Sequence, residues 1–350
     1  MRAVVLGSTR PVGTGRVSVE QVAEPVLLHP ADALVRVQAA GVCGTDLHAV
    51  AGHLPGAEAG TRLGHEYVGE IVELGAAVTR LSIGNRVVGS DFTACGTCWY
   101  CTRQAFWHCS SRSFLGTGTA FGNSTPGAQA ELVRVPFAEV TLAPLPASID
   151  ARLGVLMSDN LATAFSALDA AALAPSQTVA VIGGGPVGQL TALAAQLSGA
   201  GAVVLSDPVP ARRQFAAERG SLACEPDDLA AALRTTTEGR GADIVVEAVG
   251  GARGLEAALA AVRPGGRIAS VSAHSQTTWP MPLADTFARE VSLAFVIGDP
   301  IRMRPRMLAY ARAGLLDQAR DLVELRGLHE AAAAYADMSD MTAMKIALVP

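Results

Sequence analysis

The sequence has little charge of either sign and almost no lysine. Charged residues make up 17% of the 350 positions and aromatic residues 5%, whereas 50% are hydrophobic. Lys345 is the only lysine, against 26 arginines, and the formal net charge is −5. The chain therefore lacks the basic surface that binding to nucleic acid requires. Its apolar content excludes disorder, and its length suits about two domains.

No uninterrupted apolar run is long enough to cross a membrane. The stretch between Asp169 and Asp207 has no charged residue, but four glycines and a proline interrupt it: Gly183, Gly184, Gly185, Pro186 and Gly188. We expect strand, turn, helix and strand there. The opening MRAVVLGSTRPVG predicts a strand, and no signal-peptide pattern follows it. We therefore expect a cytoplasmic protein without a membrane partner.

The sequence changes character twice along the chain. Residues 1–156 contain short Val- and Ile-rich runs separated by glycines, which favours β-structure. Residues 157–290 alternate apolar strands with alanine-rich helices, a pattern typical of βαβ units. Residues 291–350 predict a strand, a helical stretch and a last strand. The fold class predicted is α/β, with a mostly-β domain and a doubly wound parallel-sheet domain.

Four of the six cysteines fall in one short segment. Cys95, Cys98, Cys101 and Cys109 form the pattern Cys-x2-Cys-x2-Cys-x7-Cys. Four thiolates this close can enclose one ion tetrahedrally and leave no open position, as structural zinc sites do. The spacing can also hold an iron–sulfur cluster, but nothing else in the chain indicates electron transfer, so zinc is favoured. His108 is not needed as a ligand.

A second metal site is predicted from residues that are far apart. Cys43 lies in GVCGTDLH and His65 in GHEYVGE, and glycines flank both motifs. Either residue alone could be structural. Together they indicate a zinc site that needs a third ligand and leaves one position open for a substrate. Asp46 and Glu66 stand beside them as supporting or exchangeable ligands.

A glycine-rich turn predicts a dinucleotide site. VAVIGGGPVGQL carries Gly183-x-Gly185-x-x-Gly188 between an apolar strand and a helical run, with Pro186 and Val187 at the expected start of the helix. The N–H groups of that helix end would bind a pyrophosphate. Asp207, nineteen positions after the last glycine, would accept hydrogen bonds from the adenosine ribose, which favours NAD over NADP. Arg212 and Arg213 leave NADP open.

In their order and spacing, GVCGTDLH, GHEYVGE and the four-cysteine segment resemble the zinc-dependent medium-chain alcohol dehydrogenases, and the similarity runs essentially from end to end. The resemblance implies a GroES-like catalytic domain (1–156) with a structural zinc lobe at about 91–112. It implies a Rossmann NAD-binding domain (157–290) and a C-terminal segment (291–350) that returns to the catalytic domain. The resemblance also implies two zinc ions per subunit and a homotetramer or homodimer.

The resemblance also implies roles at the catalytic zinc. Cys43 and His65 would be ligands, with Glu66 a nearby or alternating ligand and Asp46 orienting His65. Thr45 and His48 match the hydroxyl and the outer histidine of the proton relay of the family.

Further roles come from segments that match particular branches or positions of the family. LMSDNLATAFSAL resembles the branch with a Cys-His-Asp site, which nominates Asp159 as the third ligand and Thr163 as a neighbour of the nicotinamide. Asp159 could instead cap the helix that follows. Arg212 would lie beside the adenosine. Lys345 would lie near the pyrophosphate, with an ordinary exposed lysine as the alternative.

The expected activity is reversible oxidation of an alcohol to an aldehyde or ketone by hydride transfer to NAD. The few charges near the motifs favour a small neutral, largely apolar alcohol, and polyols stay open. Three alternatives remain: an NADPH-linked carbonyl or polyol reductase of the same fold, a metal-free alkene reductase, and a scaffold that binds zinc and nucleotide without catalysis.

Overall fold

The computed structural model describes residues 1–7, 17–274 and 276–350. They form two compact units. The discontinuous unit comprises Met1–Asp159 and Asp299–Pro350, and the continuous unit comprises Asn160–Gly298. The chain therefore leaves the first unit once and returns to it.

Seventeen β-strands and eleven α-helices occur among the described residues. The strands are β1 (Arg2–Leu6), β2 (Val17–Gln21), β3 (Ala33–Gly41), β4 (Glu66–Leu74), β5 (Arg86–Gly89), β6 (Ser113–Leu115), β7 (Asn123–Thr125), β8 (Leu132–Val135), β9 (Leu142–Pro144), β10 (Thr178–Ile182), β11 (Ala202–Ser206), β12 (Leu222–Cys224), β13 (Ala242–Glu247), β14 (Val262–Ser270), β15 (Ser292–Phe295), β16 (Val323–Gly327) and β17 (Lys345–Val349). The helices are α1 (Gly44–Val50), α2 (Ala138–Thr141), α3 (Ala151–Met157), α4 (Asn160–Ala170), α5 (Pro186–Leu197), α6 (Pro210–Glu218), α7 (Leu229–Thr236), α8 (Gly251–Ala261), α9 (Leu283–Ala288), α10 (Pro300–Arg312) and α11 (Ala331–Ser339).

The discontinuous unit is built on a seven-stranded, mainly antiparallel sheet. Its strands lie in the order β16-β17-β3-β4-β5-β9, and β8 pairs with β3. Val35, Val37, Tyr67 and Ile71 of the central strands β3 and β4 belong to one buried core. The last strand, β17, pairs with β3, so the C-terminal end of the chain completes a sheet that the first 150 residues or so begin.

The continuous unit contains a six-stranded sheet in the order β12-β11-β10-β13-β14-β15, in which every pair is parallel. Numbered from β10, this is the 3-2-1-4-5-6 order of a doubly wound dinucleotide-binding sheet. Strands buried on both faces need apolar residues at successive positions, and the four residues Val179–Ile182 of β10 are all buried. Helices connect most of the successive strands.

The boundaries between the units differ from those expected at 156/157 and 290/291. The first falls between Asp159 and Asn160 and the second between Gly298 and Asp299. The second difference has a clear cause, because β15 pairs with β14 and extends the parallel sheet beyond residue 290. From the pattern of apolar residues alone, that strand is expected in the C-terminal segment.

Two expectations from hydropathy can be compared with the structure. The apolar stretch between Asp169 and Asp207 forms strand, turn, helix and strand, as predicted. Within the described residues, none of the helices combines the length and apolar character needed to span a membrane. The predicted opening strand begins as β1, and residues 8–13 of that segment lie outside the described residues.

Candidate metal centres and coenzyme-binding turn

Cys43 is held at the start of a helix. It follows β3 and precedes the first residue of α1, with an extended backbone. Its N–H donates to Asp46 Oδ2 at 2.9 Å, and its C=O accepts from the Leu47 N–H. The acidic side chain in the first turn of α1 therefore fixes the main chain that carries the thiol.

His65 immediately precedes β4 and is fully buried. Its Nδ1 lies 3.3 Å from Asp46 Oδ1, and its ring centroid lies 5.3 Å from that of Phe114. Burial disfavours the imidazolium, but Asp46 and the thiol of Cys43 outweigh it, so the pKa of His65 is raised well above its ordinary value. The negatively charged groups around His65 therefore favour a cation in this site.

Asp159 brings a carboxylate to the same place. Its Oδ2 lies 3.7 Å from Cys43 Sγ and 3.6 Å from His65 Nε2. Donor atoms of these residues and of Glu66 all lie within 4.8 Å of one another. Tetrahedral zinc with bonds of about 2.0–2.3 Å needs donors roughly 3.3–3.8 Å apart, so the set fits zinc. Thr163 is buried in α4 of the continuous unit.

Glu66 is paired with the only lysine in the chain. Lys345 begins β17, has a relative exposure of 1%, and donates from Nζ to Glu66 Oε1 at 2.7 Å. A Cβ at Gly41 would collide with the Glu66 carboxylate, which explains glycine there. Lys345 is therefore not an ordinary exposed lysine. Its role near a pyrophosphate stays a prediction, since the contact seen here is with Glu66.

A buried hydrogen-bond chain supports Asp46 from the far side. Gln129 Nε2 donates to the Gly41 C=O at 2.9 Å and lies 3.5 Å from Asp46 Oδ2. Tyr335 donates its hydroxyl proton to Gln129 Oε1 at 2.8 Å. Sequence reasoning missed Gln129 and Tyr335 because neither belongs to a motif with metal-ligand or catalytic spacing.

Thr45 and His48 lie on α1 directly after the cysteine. Thr45 Oγ1 is 3.9 Å from Cys43 Sγ, and His48 is one helical turn further on. Burial, and then the neighbouring His53, lowers the pKa of His48; the two rings are 5.8 Å apart. A neutral His48 at physiological pH is able to accept a proton.

The four clustered cysteines form a second donor set, with sulfur atoms within 4.8 Å of one another. Backbone N–H groups point at the sulfurs: the N–H of Cys98 lies 3.4 Å from Cys95 Sγ, and the N–H of Cys95 lies 3.3 Å from Cys109 Sγ. The N–H groups of Cys101 and Ser110 lower the pKa of Cys98 to about 6.

The thiols of Cys101 and Cys109 are harder to ionise than that of Cys98. Burial raises the pKa values of Cys101 and Cys109, so four thiolates need a cation between them. The sulfur atoms of Cys95 and Cys101 lie 4.0 Å apart, close to the roughly 3.8 Å between donors of tetrahedral zinc. His108 packs against Tyr100 with ring centroids 5.6 Å apart and is not part of this donor set.

The glycine-rich turn has the shape that a pyrophosphate requires. Gly183 adopts a positive φ of 97°, and Gly185 caps α5, whose first residues are Pro186 and Val187. A Cβ at Gly188 would collide with the carbonyl of Gly183. These positions therefore bring the strand and the helix N-terminus as close together as the phosphate-binding turn needs.

Asp207 is 3% exposed and fastens this turn. Its Oδ2 accepts from the Gly184 N–H at 2.7 Å and its Oδ1 from the Val209 N–H at 2.8 Å. Arg212 Nη1 lies 3.6 Å from Oδ2. Gln189, which sequence reasoning missed, donates to the carbonyls of Gly184 and Arg212 and so ties the two predicted coenzyme segments together.

Both halves of the chain match known families. Residues 29–147 match the alcohol dehydrogenase GroES-like domain, and residues 186–310 match the zinc-binding dehydrogenase domain. A probable zinc-binding alcohol dehydrogenase of Mycobacterium tuberculosis is 36% identical over 96% of this chain and 85% of its own length. The chain belongs to the zinc-dependent medium-chain alcohol dehydrogenase family. Its oxidoreductase class follows from that membership.

Solved structures agree with the predicted fold class of this dehydrogenase. The alcohol dehydrogenase TADH from Thermus sp. ATN1 has a TM-score of 0.92 and 38% identity, over 100% of this chain and 99% of the other. A protein of Sinorhizobium meliloti 1021, whose structure is bound to NADP, has a TM-score of 0.84 and 28% identity, over 100% and 99%. The GroES-like domain combined with a Rossmann domain is therefore confirmed.

Proposed function

We propose that this protein is a zinc-dependent alcohol dehydrogenase that reversibly oxidises an alcohol to an aldehyde or ketone, with NAD as hydride acceptor. The buried set of Cys43, His65 and Asp159 carries the proposal. A zinc ion held by these three ligands would keep a position open and would polarise the substrate oxygen. The four-cysteine set would hold a second, structural zinc.

The residues around the ligand set position it and move the proton. Asp46 holds the imidazole of His65, so its Nε2 faces the thiol and the carboxylate. Thr45 lies beside Cys43, and its hydroxyl would accept the proton of the substrate hydroxyl and pass its own towards His48. Because the pKa of His48 is lowered, the neutral imidazole is available to accept that proton and release it to water.

Glu66 has a separate task in this proposal. Its ion pair with Lys345 neutralises a carboxylate that burial would otherwise make costly. With Glu66 held by the lysine, three protein ligands remain for the metal.

NAD is the proposed coenzyme because Asp207 places a carboxylate at the end of β11, where the adenosine ribose is expected. A negative charge there repels a 2′-phosphate. The second candidate, an NADPH-linked carbonyl or polyol reductase, is favoured by Arg212, whose guanidinium lies 3.6 Å from that carboxylate and could bind a phosphate. The relative from S. meliloti, whose structure contains bound NADP, also supports this second candidate.

One assay separates the candidates. The zinc-loaded protein is given a panel of alcohols with NAD⁺ or NADP⁺, and of aldehydes, ketones and activated alkenes with NADH or NADPH, while reduced nicotinamide is followed by absorbance. We expect alcohol oxidation with NAD⁺ and its loss on chelation of zinc. Turnover of alkenes that survives chelation, or zinc and nucleotide binding without any turnover, would contradict the proposal.

A further inference from the structure

A buried phenol lies at the far end of the hydrogen-bond chain that reaches Asp46. Tyr335, on α11, is fully buried. Its ring belongs to an apolar cluster that also contains Val42 and Leu63. Val42 directly precedes Cys43, and Leu63 lies two residues before His65. The ring of Tyr335 is therefore held by the same packing that holds the two segments carrying these metal ligands.

The hydroxyl of Tyr335 fixes which way the amide of Gln129 points. It donates its proton to Gln129 Oε1 at 2.8 Å. Burial, and then Asp46, raises the pKa of Tyr335 well above its ordinary value, so the hydroxyl stays a donor. On the other side of the amide, Gln129 Nε2 donates to the Gly41 C=O at 2.9 Å and lies 3.5 Å from Asp46 Oδ2. A reversed amide would place its oxygen against these two acceptors, which favours the observed orientation.

The amide of Gln129 in turn helps to hold the carboxylate of Asp46 so that one oxygen faces the imidazole. Asp46 Oδ2 accepts from the Cys43 N–H at 2.9 Å and faces Gln129 Nε2, whereas Oδ1 lies 3.3 Å from His65 Nδ1. The side chains of Asp46, His65 and Gln129 are fully buried. Bulk water is therefore not at hand to replace a donor of Asp46 that is lost.

Groups that hold a metal-binding histidine affect the metal as well as the ring, and their loss typically costs about 10- to 100-fold in metal affinity or activity. We propose that Gln129 and Tyr335 are positioning residues of the catalytic zinc site, which act through Asp46 to hold the imidazole of His65 in the orientation that the metal requires. This inference rests on the proposed zinc-dependent activity. It gives α11 a task in a site whose candidate ligands all lie before residue 160.

Loss of the Tyr335 hydroxyl should disturb orientation rather than folding. Tyr335→Phe removes one oxygen atom and keeps the ring in its apolar cluster. Gln129 Oε1 then loses its donor, and the amide can turn this oxygen towards Asp46, which moves the carboxylate away from His65. We expect zinc affinity to fall by about 10- to 100-fold at the catalytic site and to stay unchanged at the four-cysteine set.

The test compares two buried tyrosines that differ in their partners. Tyr67 is also fully buried in the discontinuous unit, but its hydroxyl has no hydrogen-bond partner among the described residues. Tyr67→Phe is therefore the matched control, since it removes the same atom and leaves the hydrogen-bond chain intact. Zinc dissociation constants are measured by competition with a chelator of known affinity. Tyr335→Phe should weaken the binding of one of the two ions by about 10- to 100-fold, and Tyr67→Phe should weaken neither.

Cadmium-113 NMR shows which of the two sites has changed. The protein is loaded with cadmium-113 in place of zinc, and the two sites give separate resonances because one has a single thiolate ligand and the other has four. Tyr335→Phe should shift the resonance of the site with one thiolate and leave the other in place. A merely structural role of Tyr335 would lower the Tm and leave both resonances where they are in the wild type.

A double-variant cycle checks that Tyr335 acts through Gln129. Gln129→Leu removes the link itself and should weaken zinc binding at the catalytic site at least as strongly as Tyr335→Phe does. The double variant should then bind zinc no more weakly than Gln129→Leu alone, because the phenol has no amide left to orient. If Gln129→Leu does not fold, the comparison of Tyr335→Phe with Tyr67→Phe decides the matter.

Three results would overturn the inference about Tyr335 and Gln129. These are equal zinc affinity in the wild type and Tyr335→Phe, an equal loss in Tyr335→Phe and Tyr67→Phe, and losses that simply add in the double variant. If the wild type oxidises no alcohol, the proposed function itself fails. The zinc affinities and the cadmium resonances do not depend on turnover, so they would still support or reject the positioning role.

Discussion

At the scale of single residues, the carboxylates of the discontinuous unit differ in role because they differ in partners. Asp46 binds a backbone N–H and faces His65. Glu66 is neutralised by an ammonium group, and Asp159 faces a thiol and an imidazole. Residue type alone does not separate these roles, because each one depends on the atom that the carboxylate faces.

Removal of the Asp159 carboxylate should empty one metal site. We expect Asp159→Ala to lower bound zinc from two ions per chain towards one, since a Cys–His pair alone holds zinc weakly. Zinc is measured by mass spectrometry after dialysis, with Asp32→Asn as the control that retains both ions. Unchanged metal content in the Asp159 variant would remove this residue from the ligand set.

Loss of the Lys345 ammonium should destabilise the protein through Glu66. We expect Lys345→Met to lower the free energy of unfolding by about 3–5 kcal/mol, because a buried carboxylate is left without its cation. The double variant Lys345→Met/Glu66→Gln should recover much of that loss. Denaturant unfolding of the zinc-loaded proteins measures both values, and a double variant no more stable than Lys345→Met would reject this explanation.

The side chain of Asp207 should decide coenzyme preference. We expect Asp207→Ala to shift the ratio of kcat/KM towards NADP, since Arg212 would then face the 2′-phosphate without a competing carboxylate. The variant also loses two hydrogen bonds to the turn, so Asp207→Asn serves as the milder comparison. If a strict NAD requirement survives in both variants, selectivity lies elsewhere.

At the scale of helices and strands, element ends carry the proposed catalytic site. Cys43 caps α1, His65 precedes β4, Asp159 lies between α3 and α4, and Lys345 begins β17. Side chains at such ends are fixed by the hydrogen bonds of the first or last turn of the element, while the backbone stays open towards a ligand. The same holds for Gly185 at the start of α5.

The short helix α2, whose Val140 packs in the hydrophobic cluster of the four-cysteine segment, offers a test by pH. Glu139 in α2 accepts hydrogen bonds from the N–H of Arg80, the N–H of Thr79 and the Arg80 guanidinium, which lower its pKa from the ordinary 4.5 to about 2. A carboxyl with a lowered pKa stabilises the fold above its ordinary pKa and loses that contribution as the pH falls towards about 2.

We therefore expect Glu139→Gln to have a lower Tm than the wild type at neutral pH. The difference should narrow as the pH falls from about 5 to about 3. Melting curves of both proteins across this range are the measurement, with Glu238→Gln, at a side chain that is 86% exposed, as the matched control. A difference independent of pH would mean that the ionic form of Glu139 is not responsible.

At the scale of the whole molecule, the chain returns to its first unit after completing the second. The last strand supplies Lys345 to a site whose other residues lie before residue 160, and α11 supplies Tyr335. The continuous unit, in contrast, is one uninterrupted segment with its own parallel sheet and its own buried core.

The continuous unit should therefore fold and bind coenzyme by itself. We expect a fragment of residues 160–298 to show helical and strand circular dichroism and to bind NADH, seen as a change in nicotinamide fluorescence. Gly188→Leu in the same fragment should abolish binding, because its side chain would collide with the carbonyl of Gly183. An unfolded wild-type fragment would contradict the expectation.

The sequence alone determined what depends on local spacing. The four-cysteine segment, the glycine-rich turn and the motifs around Cys43 and His65 each place their side chains through a few neighbouring residues, so they were predictable, and so was the fold class. The strand β15 was assigned to the wrong segment, because one short apolar run carries no information about which strand it pairs with.

Only the tertiary structure decided the partners of residues far apart in the chain. Lys345 meets Glu66 across 279 positions and Tyr335 meets Gln129 across 206. These contacts arise when buried side chains satisfy one another's charges and hydrogen bonds on packing, and no pattern along the sequence records which distant groups will do so.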